Sequence, residues 1–201
     1  MARRSDHSRD EIREMALNAT KTIVEREGAA ALSTRKIANE IGYTVGSLYL
    51  VFANLDDLIF QVNARTLSEL AAELDRAAAR SNTPKAALVE LGLAYFRFAT
   101  SNLGRWELIF GRGSPAANAS PEWYRNRIPV LFDRVERLLV QLAPSRKPGE
   151  VALAARALWG GVHGICTLAL TDKLGIAGLS DAEPLLTTLI ETFLSGWMQR
   201  S

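Results

Sequence analysis

Apolar residues recur at intervals of three and four along almost the whole chain, and no stretch alternates apolar with polar as a half-buried strand does. Proline and glycine cut this helical pattern into segments. The first runs from about Arg9 to Glu27, with Ile12, Ala16, Ala19, Ile23 and Val24 in one stripe. Gly28 follows, where a left-handed residue costs little. Ser33-Thr34 offers a cap for a short helix through Ile41, Gly42 closes it, and Thr44 caps a second short helix from Val45 to about Val51. Asn54 caps a longer helix that begins near Asp56 and Asp57, acids suited to a positive helix end, and reaches about Arg80.

Ser81-Asn82-Thr83-Pro84 breaks the pattern, and Pro84 suits a first turn. The next helix carries Leu88, Leu91, Tyr95 and Phe98 on one face and Val89, Leu93 and Phe96 on another, so it is expected to be buried on most sides. Gly104 is expected to break it, ahead of an aromatic piece holding Trp106, Leu108, Ile109 and Phe110. Residues 111–120 (GRGSPAANAS) read as a loop. Pro121 is expected to start a helix with Trp123, Ile128, Leu131, Phe132, Val135, Leu138, Leu139 and Leu142 inward and a kink at Pro129. After a break from Pro144 to Gly149, two last helices span about Glu150 to Leu170 and Asp181 to Gln199. The fold class is therefore all-α, with three short helices in residues 1–55 and a larger helical body in 56–201.

The 201 residues are 48% hydrophobic and 23% charged, which excludes a disordered, collagen-like or low-complexity chain. One cysteine, Cys166, excludes an intrachain disulfide and any zinc site of several cysteines. Two histidines, His7 and His163, exclude a His-rich metal centre, so no metal or cofactor is expected. No uncharged apolar run is long enough for a bilayer, and the polar start from Met1 to His7 leads into no apolar signal segment. The expectation is a cytoplasmic protein without a membrane partner. A net charge of +2 leaves any DNA recognition to a local patch.

Such a patch is offered between Ser33 and Leu58. A helix of about eight residues, a glycine-bearing turn and a second short helix are what a helix-turn-helix requires. Ile37, Ala38 and Ile41 would pack the first helix inward, and Val45, Leu48 and Phe52 the second. The start of the second helix would then enter the major groove of double-stranded DNA.

The run from Gly42 to Leu58, GYTVGSLYLVFANLDDL, resembles the turn and recognition helix of the TetR family of bacterial regulators. Its frame Leu48-Tyr49, Phe52, Leu58 and the preceding Leu32-Ser33-Thr34-Arg35-Lys36-Ile37-Ala38 carry the resemblance. It implies groove or phosphate contacts by Thr44 and Ser47, close approach to base edges at Val45 and Gly46, and a phosphate contact by Tyr49. Ser33, Thr34 and Arg35 would meet the DNA backbone, and Leu50 and Asn54 complete the implied DNA-binding set. Arg3, Arg4 and Arg9 would form an arm toward phosphates or the minor groove. Two positions depart from the family. Leu50 stands where a polar or basic residue is frequent, and Leu55 where a phosphate-contacting lysine is common, so each loses an electrostatic contribution.

The resemblance also implies that the last two helices pair with a second copy into a homodimer, through Leu153, Ala157, Gly160, Gly164, Leu186, Leu189, Ile190, Phe193 and Trp197. The run from Ala157 to Gly164 looks like the Trp-His-Gly element of a TetR C-terminal subgroup. His163 is read first as a buried histidine bonded to a backbone carbonyl and second as a donor to a ligand. A small-molecule effector pocket, implied for the body, would draw on Tyr95, Phe98, Trp106, Phe110, Trp123, Tyr124, Phe132, Trp159 and His163, and would suit a largely apolar ligand. The loop 111–120 is a candidate entrance. The expected function is a DNA-binding regulator, a repressor released from a palindromic operator by that ligand. The alternatives are a regulator of the same fold without a small-molecule ligand, and a helical enzyme using His163 and Cys166; the protein is expected not to be an enzyme.

Overall fold

The computed structural model describes residues 7–111, 115 and 120–199. Arg3, Arg4 and most of the 111–120 loop lie outside the described residues. The helices are α1 (Arg9–Glu27), α2 (Thr34–Glu40), α3 (Val45–Tyr49), α4 (Leu55–Ala79), α5 (Pro84–Ser101), α6 (Leu103–Phe110), α7 (Glu122–Arg125), α8 (Arg127–Leu142), α9 (Pro148–Leu170) and α10 (Ala182–Gln199). Short 3-10 turns lie at Ala29–Ala31 and Leu174–Ala177, and no strand occurs among the described residues. The all-α expectation holds, and most boundaries fall within two residues of those read from the sequence.

Packing divides the chain into two compact units, one drawn from residues 1–67 and 102–124, the other from 68–101 and 125–201. The long helix α4 contributes to both. In the first unit, α1 begins with a reciprocal cap in which the Ser8 amide donates to Glu11 at 2.6 Å and the Glu11 amide donates to the Ser8 hydroxyl at 3.2 Å. The stripe expected on α1 is buried, widened by Leu17 and Thr20, and packs on α2, α3 and α6. Ile23, Ile37, Leu48 and Leu58 are the fully buried centre of this core.

Gly104 does not end α5 but lies inside α6. A Cβ there would overlap the Val24 carbonyl oxygen, so the glycine is required by the close approach of α6 to α1 and not by a turn. The neighbouring Arg105 is buried; its guanidinium lies 3.0 Å from Glu25 and bonds to the Asn102 side chain. A buried cation needs such compensation, and it fastens the same two helices.

In the second unit, α5 packs against α8, α9 and α10, and α9 packs against α8 and α10. The wide apolar cover expected on α5 is buried as Leu88, Leu91, Leu93, Tyr95 and Phe98. Leu158, Val162, Leu186, Ile190 and Leu194 face it from α9 and α10. The helix expected from Pro121 is two helices, interrupted at Asn126. Pro129 does not kink α8: it sits in the first turn, where its missing N–H has no intrahelical partner to lose. Of the residues expected inward on α8, only Leu139 is fully buried, and Trp123 on α7 is exposed. On its outer side α8 is held by Arg134, which donates to both Asp75 oxygens at 2.6 and 2.7 Å. By length and composition alone α9 is long and apolar enough to cross a membrane. Its apolar residues are used instead by this core and by a stripe described below.

Gly104→Ala is expected to destabilise the chain by about 1–3 kcal/mol, because the added carbon displaces backbone and not a flexible side-chain tip. Equilibrium urea unfolding measures this.

Candidate nucleic-acid interface

The Ser33 hydroxyl accepts from the Lys36 amide at 3.2 Å and starts α2. The turn after α2 closes with two backbone bonds, Gly42 N–H to the Asn39 carbonyl at 3.1 Å and Tyr43 N–H to the Ala38 carbonyl at 2.9 Å. Gly42 takes φ +73°, a left-handed value that side chains disfavour. The Thr44 hydroxyl oxygen then accepts from the Ser47 amide at 3.2 Å and shares a hydrogen bond with the Ser47 hydroxyl at 3.0 Å, which starts α3. Asn54 accepts from the Asp57 amide at 2.8 Å while Asp57 accepts from the Ala53 amide at 3.0 Å, so Asn54 caps α4 as expected.

These anchors sink one side of α3 and expose the other. Ile37, Ala38, Leu48, Val51 and Phe52 are buried together, with Ile41, Tyr43, Val45 and Leu55 packed partly against them. Leu55 therefore supplies packing at the position where a lysine would have supplied charge. On the outer side Tyr49 is 53% exposed and Leu50 63% exposed, and Ser33, Arg35, Thr44 and Gly46 are also exposed. Thr34 and Ser47 are half-buried. The structure thus brings the sequence-read DNA-binding residues to one helix-turn-helix, most of them outward.

The charges around it are largely compensated. Glu27 binds Lys36 and lies 2.8 Å from Arg26, which also approaches Glu40 at 3.4 Å. The Lys36 and Arg26 bonds hold the Glu27 carboxyl below the usual carboxylate range. Arg35 is exposed, and no acid pairs with it among the described residues. The Lys36 to Glu27 pair was not legible in the sequence, because it joins different helices nine residues apart. Nor was the contact of His7 Nδ1 with the Tyr43 hydroxyl at 2.7 Å, which ties the residue before the Ser8 cap of α1 to the turn.

Two family models match the chain: bacterial regulatory proteins of the tetR family over residues 16–62, and the tetracyclin repressor-like C-terminal domain over residues 88–193. The chain belongs to the TetR family. It is a DNA-binding transcriptional regulator of that family. A helix-turn-helix-type transcriptional regulator of Mycobacterium tuberculosis is 28% identical over 202 residues, covering 100% of this chain and 86% of that protein. Among solved structures, a Rhodococcus protein of unknown function has a TM-score of 0.76 at 22% identity, covering 96% and 98% of the two chains. The transcriptional regulator FadR of Bacillus subtilis, solved with stearoyl-CoA, has a TM-score of 0.62 at 16% identity, covering 91% and 98%. These two show the fold.

In this TetR-family chain, the nine aromatic and histidine candidates are drawn from both units. Tyr95, Phe132, Trp159 and His163 come together in the second unit. Trp159 Nε1 donates to the Tyr95 hydroxyl at 3.0 Å, and that hydroxyl lies 3.0 Å from His163 Nδ1. The His163 and Trp159 rings stack with centroids 5.0 Å apart, and Phe132 meets Trp159 edge-on at 5.8 Å. Phe98 is buried on the same helix as Tyr95. Trp106 with Phe110 and Trp123 with Tyr124 are ring pairs of the first unit, where Tyr124 also packs on Phe60 at 4.9 Å. The partner His163 receives is thus a phenol, where the sequence suggested a carbonyl. Burial pushes the Tyr95 phenol up and the His163 imidazole down. Cys166 is fully buried and its thiol is pushed up to about 12 by burial. A nucleophile must be a thiolate, so the pair His163 and Cys166 has no support.

The residues read as a pairing surface also divide. Leu186 and Ile190 are fully buried inside this chain and leave no surface for a partner. Leu189, Phe193 and Trp197 are half-buried. Leu153, Ala157, Gly160 and Gly164 form an exposed stripe along α9, with Leu153 71% exposed.

His163 generates a pH prediction. Its folded value lies below the ordinary 6.5, so as pH falls the unfolded chain takes up this proton first. Stability is therefore lost as pH falls through 6.5 toward the folded value. Heat-unfolding midpoints should decline from about pH 7 to about pH 5, and His163→Gln should remove part of that decline.

Proposed function

We propose that this regulator is a repressor acting as a homodimer, with each protomer laying α3 in the major groove of one half of a palindromic operator, the halves roughly 34–36 Å apart. A small, largely apolar ligand held in the body releases it. Residues 1–55 carry DNA recognition, and residues 56–201 carry ligand capture and pairing. The observation that carries this proposal is the outward face of α3, where Tyr49 and Leu50 project while Leu48 and Phe52 hold the helix from behind. Arg35 and the Tyr49 phenol meet phosphates, and the Ser33, Thr34, Thr44 and Ser47 positions bring backbone and hydroxyls close to the duplex. With Lys36 held by Glu27, the phosphate-neutralising charge is small.

Pairing is supported by the α9 stripe. Gly160 and Gly164 have no heavy atom within 4 Å of where a Cβ would stand, and Leu153 and Leu168 lie exposed on either side of them. Small residues flanked by exposed leucines suit close approach of the same helix from a second copy. Ligand capture is supported by the partly open Tyr95, Trp159, His163 and Phe132 group, in which one polar chain is set among aromatic rings. An acyl chain is the first ligand class to test, since FadR of the same fold was solved with stearoyl-CoA. Ligand and operator must weaken each other by the same factor.

The test is selection of bound sites from a randomised DNA library across a salt series. The expected result is a palindrome whose affinity falls with salt, is lost in Tyr49→Ala, and has a log–log salt slope lowered by about one unit per half-site in Arg35→Ala. No enriched site, or an unrepeated half-site, would overturn the proposal. In sedimentation, Leu153→Arg should yield monomers. Gly164→Ala should weaken pairing while leaving the isolated chain as stable or more so, by about 0.5–1 kcal/mol of helix propensity.

A further inference from the structure

From Thr44 to Leu50 the reading helix and its caps hold no Arg, Lys, Asn, Gln, Asp or Glu. Those side chains distinguish guanine, adenine and cytosine in the major groove by paired or charged hydrogen bonds. Of the three hydroxyls present, those of Thr44 and Ser47 are engaged with each other and with the Ser47 amide, and the third is the Tyr49 phenol, read above as a phosphate contact. Beyond the Thr44 cap and the Tyr49 phenol, the outer side is apolar. Leu50 is more exposed than Tyr49, Gly46 carries no side chain, and Val45 is half-buried. Leu50 gives nothing to the core, which is filled from this segment by Leu48, Val51 and Phe52. The apolar feature that a base pair offers in the major groove is the C5 methyl group of thymine.

We propose that Leu50 is a specificity-determining residue that reads a thymine methyl group, so that this regulator selects its operator by methyl contact and not by bidentate hydrogen bonds. The inference rests on α3 being the DNA-reading helix. It predicts an operator whose discrimination at one position of each half-site depends on a methyl group alone. 5-Methylcytosine carries that methyl at the same place and should mimic thymine in part where cytosine does not.

The experiment uses the full chain and its selected operator, with each thymine replaced in turn by deoxyuridine. The protein is unchanged in this step, so folding does not enter. One thymine per half-site should weaken binding about fourfold on losing its methyl, the value of one buried carbon group, with the two half-sites multiplying. In Leu50→Ala the ratio of thymine to uracil affinity at that position should fall to about one. The Leu50→Ala protein should keep the wild-type unfolding midpoint, since the side chain is exposed. Uracil tolerated at every position would overturn the proposal. So would an undiminished thymine preference in Leu50→Ala, which would give the contact to Tyr49 or Val45. Failure to bind any duplex would overturn the operator proposal itself, before uracil is introduced.

Discussion

The turn at Gly42 governs which side chains the helix-turn-helix directs outward. Its left-handed backbone, with amide bonds returning to Asn39 and Ala38, sets the direction in which the chain leaves α2 and enters α3. Leu48 then points into the core shared with Ile37 and Phe52, and its neighbours Tyr49 and Leu50 must point out. Nothing crowds Gly42, so the glycine is needed for its dihedral angle. Gly104 is the opposite case, where the backbone angle is ordinary and the space is taken by the Val24 carbonyl. One glycine fixes the geometry of the helix-turn-helix, and the other fixes how closely α6 lies on α1.

The electrostatics around the helix-turn-helix are restrained. Glu27 and Glu40 occupy Arg26 and Lys36, Leu55 packs where a lysine would reach for phosphate, and Arg35 stands outward. The side chains that α3 and its C-terminal cap turn outward, Tyr49 and Leu50, are aromatic and apolar. A compensated surface around α3 is consistent with a net charge of only +2 over the chain.

The body places one polar chain within an apolar packing. Tyr95 joins Trp159 and His163, the two side chains of the Trp-His-Gly element, through a single hydroxyl. Each buried polar atom in that chain would cost stability if it stood without a partner. The third member, Gly164, faces away from this group and belongs to the exposed α9 stripe. The element therefore serves two sides of one helix.

Much of this was legible in the sequence, because helix periodicity, caps and turn glycines act over a few residues. The stripe on α1, the caps at Ser33, Thr44 and Asn54, the close of α2 at Gly42 and the burial of α5 all depend on neighbours within about one or two turns. The family frame around Leu48-Tyr49 and Phe52 is local in the same way. What the sequence left undetermined was every pairing across distance: Lys36 with Glu27, Tyr95 with Trp159 and His163, Arg105 with Glu25, and the approach of Gly104 to Val24. It also did not separate Leu186 and Ile190, which face inward, from Leu153 and Ala157, which face outward, since all are small or apolar at helical spacing. A one-dimensional pattern records which residues share a helix face. Only the packing of one helix on another decides whether that face meets core, solvent or a partner.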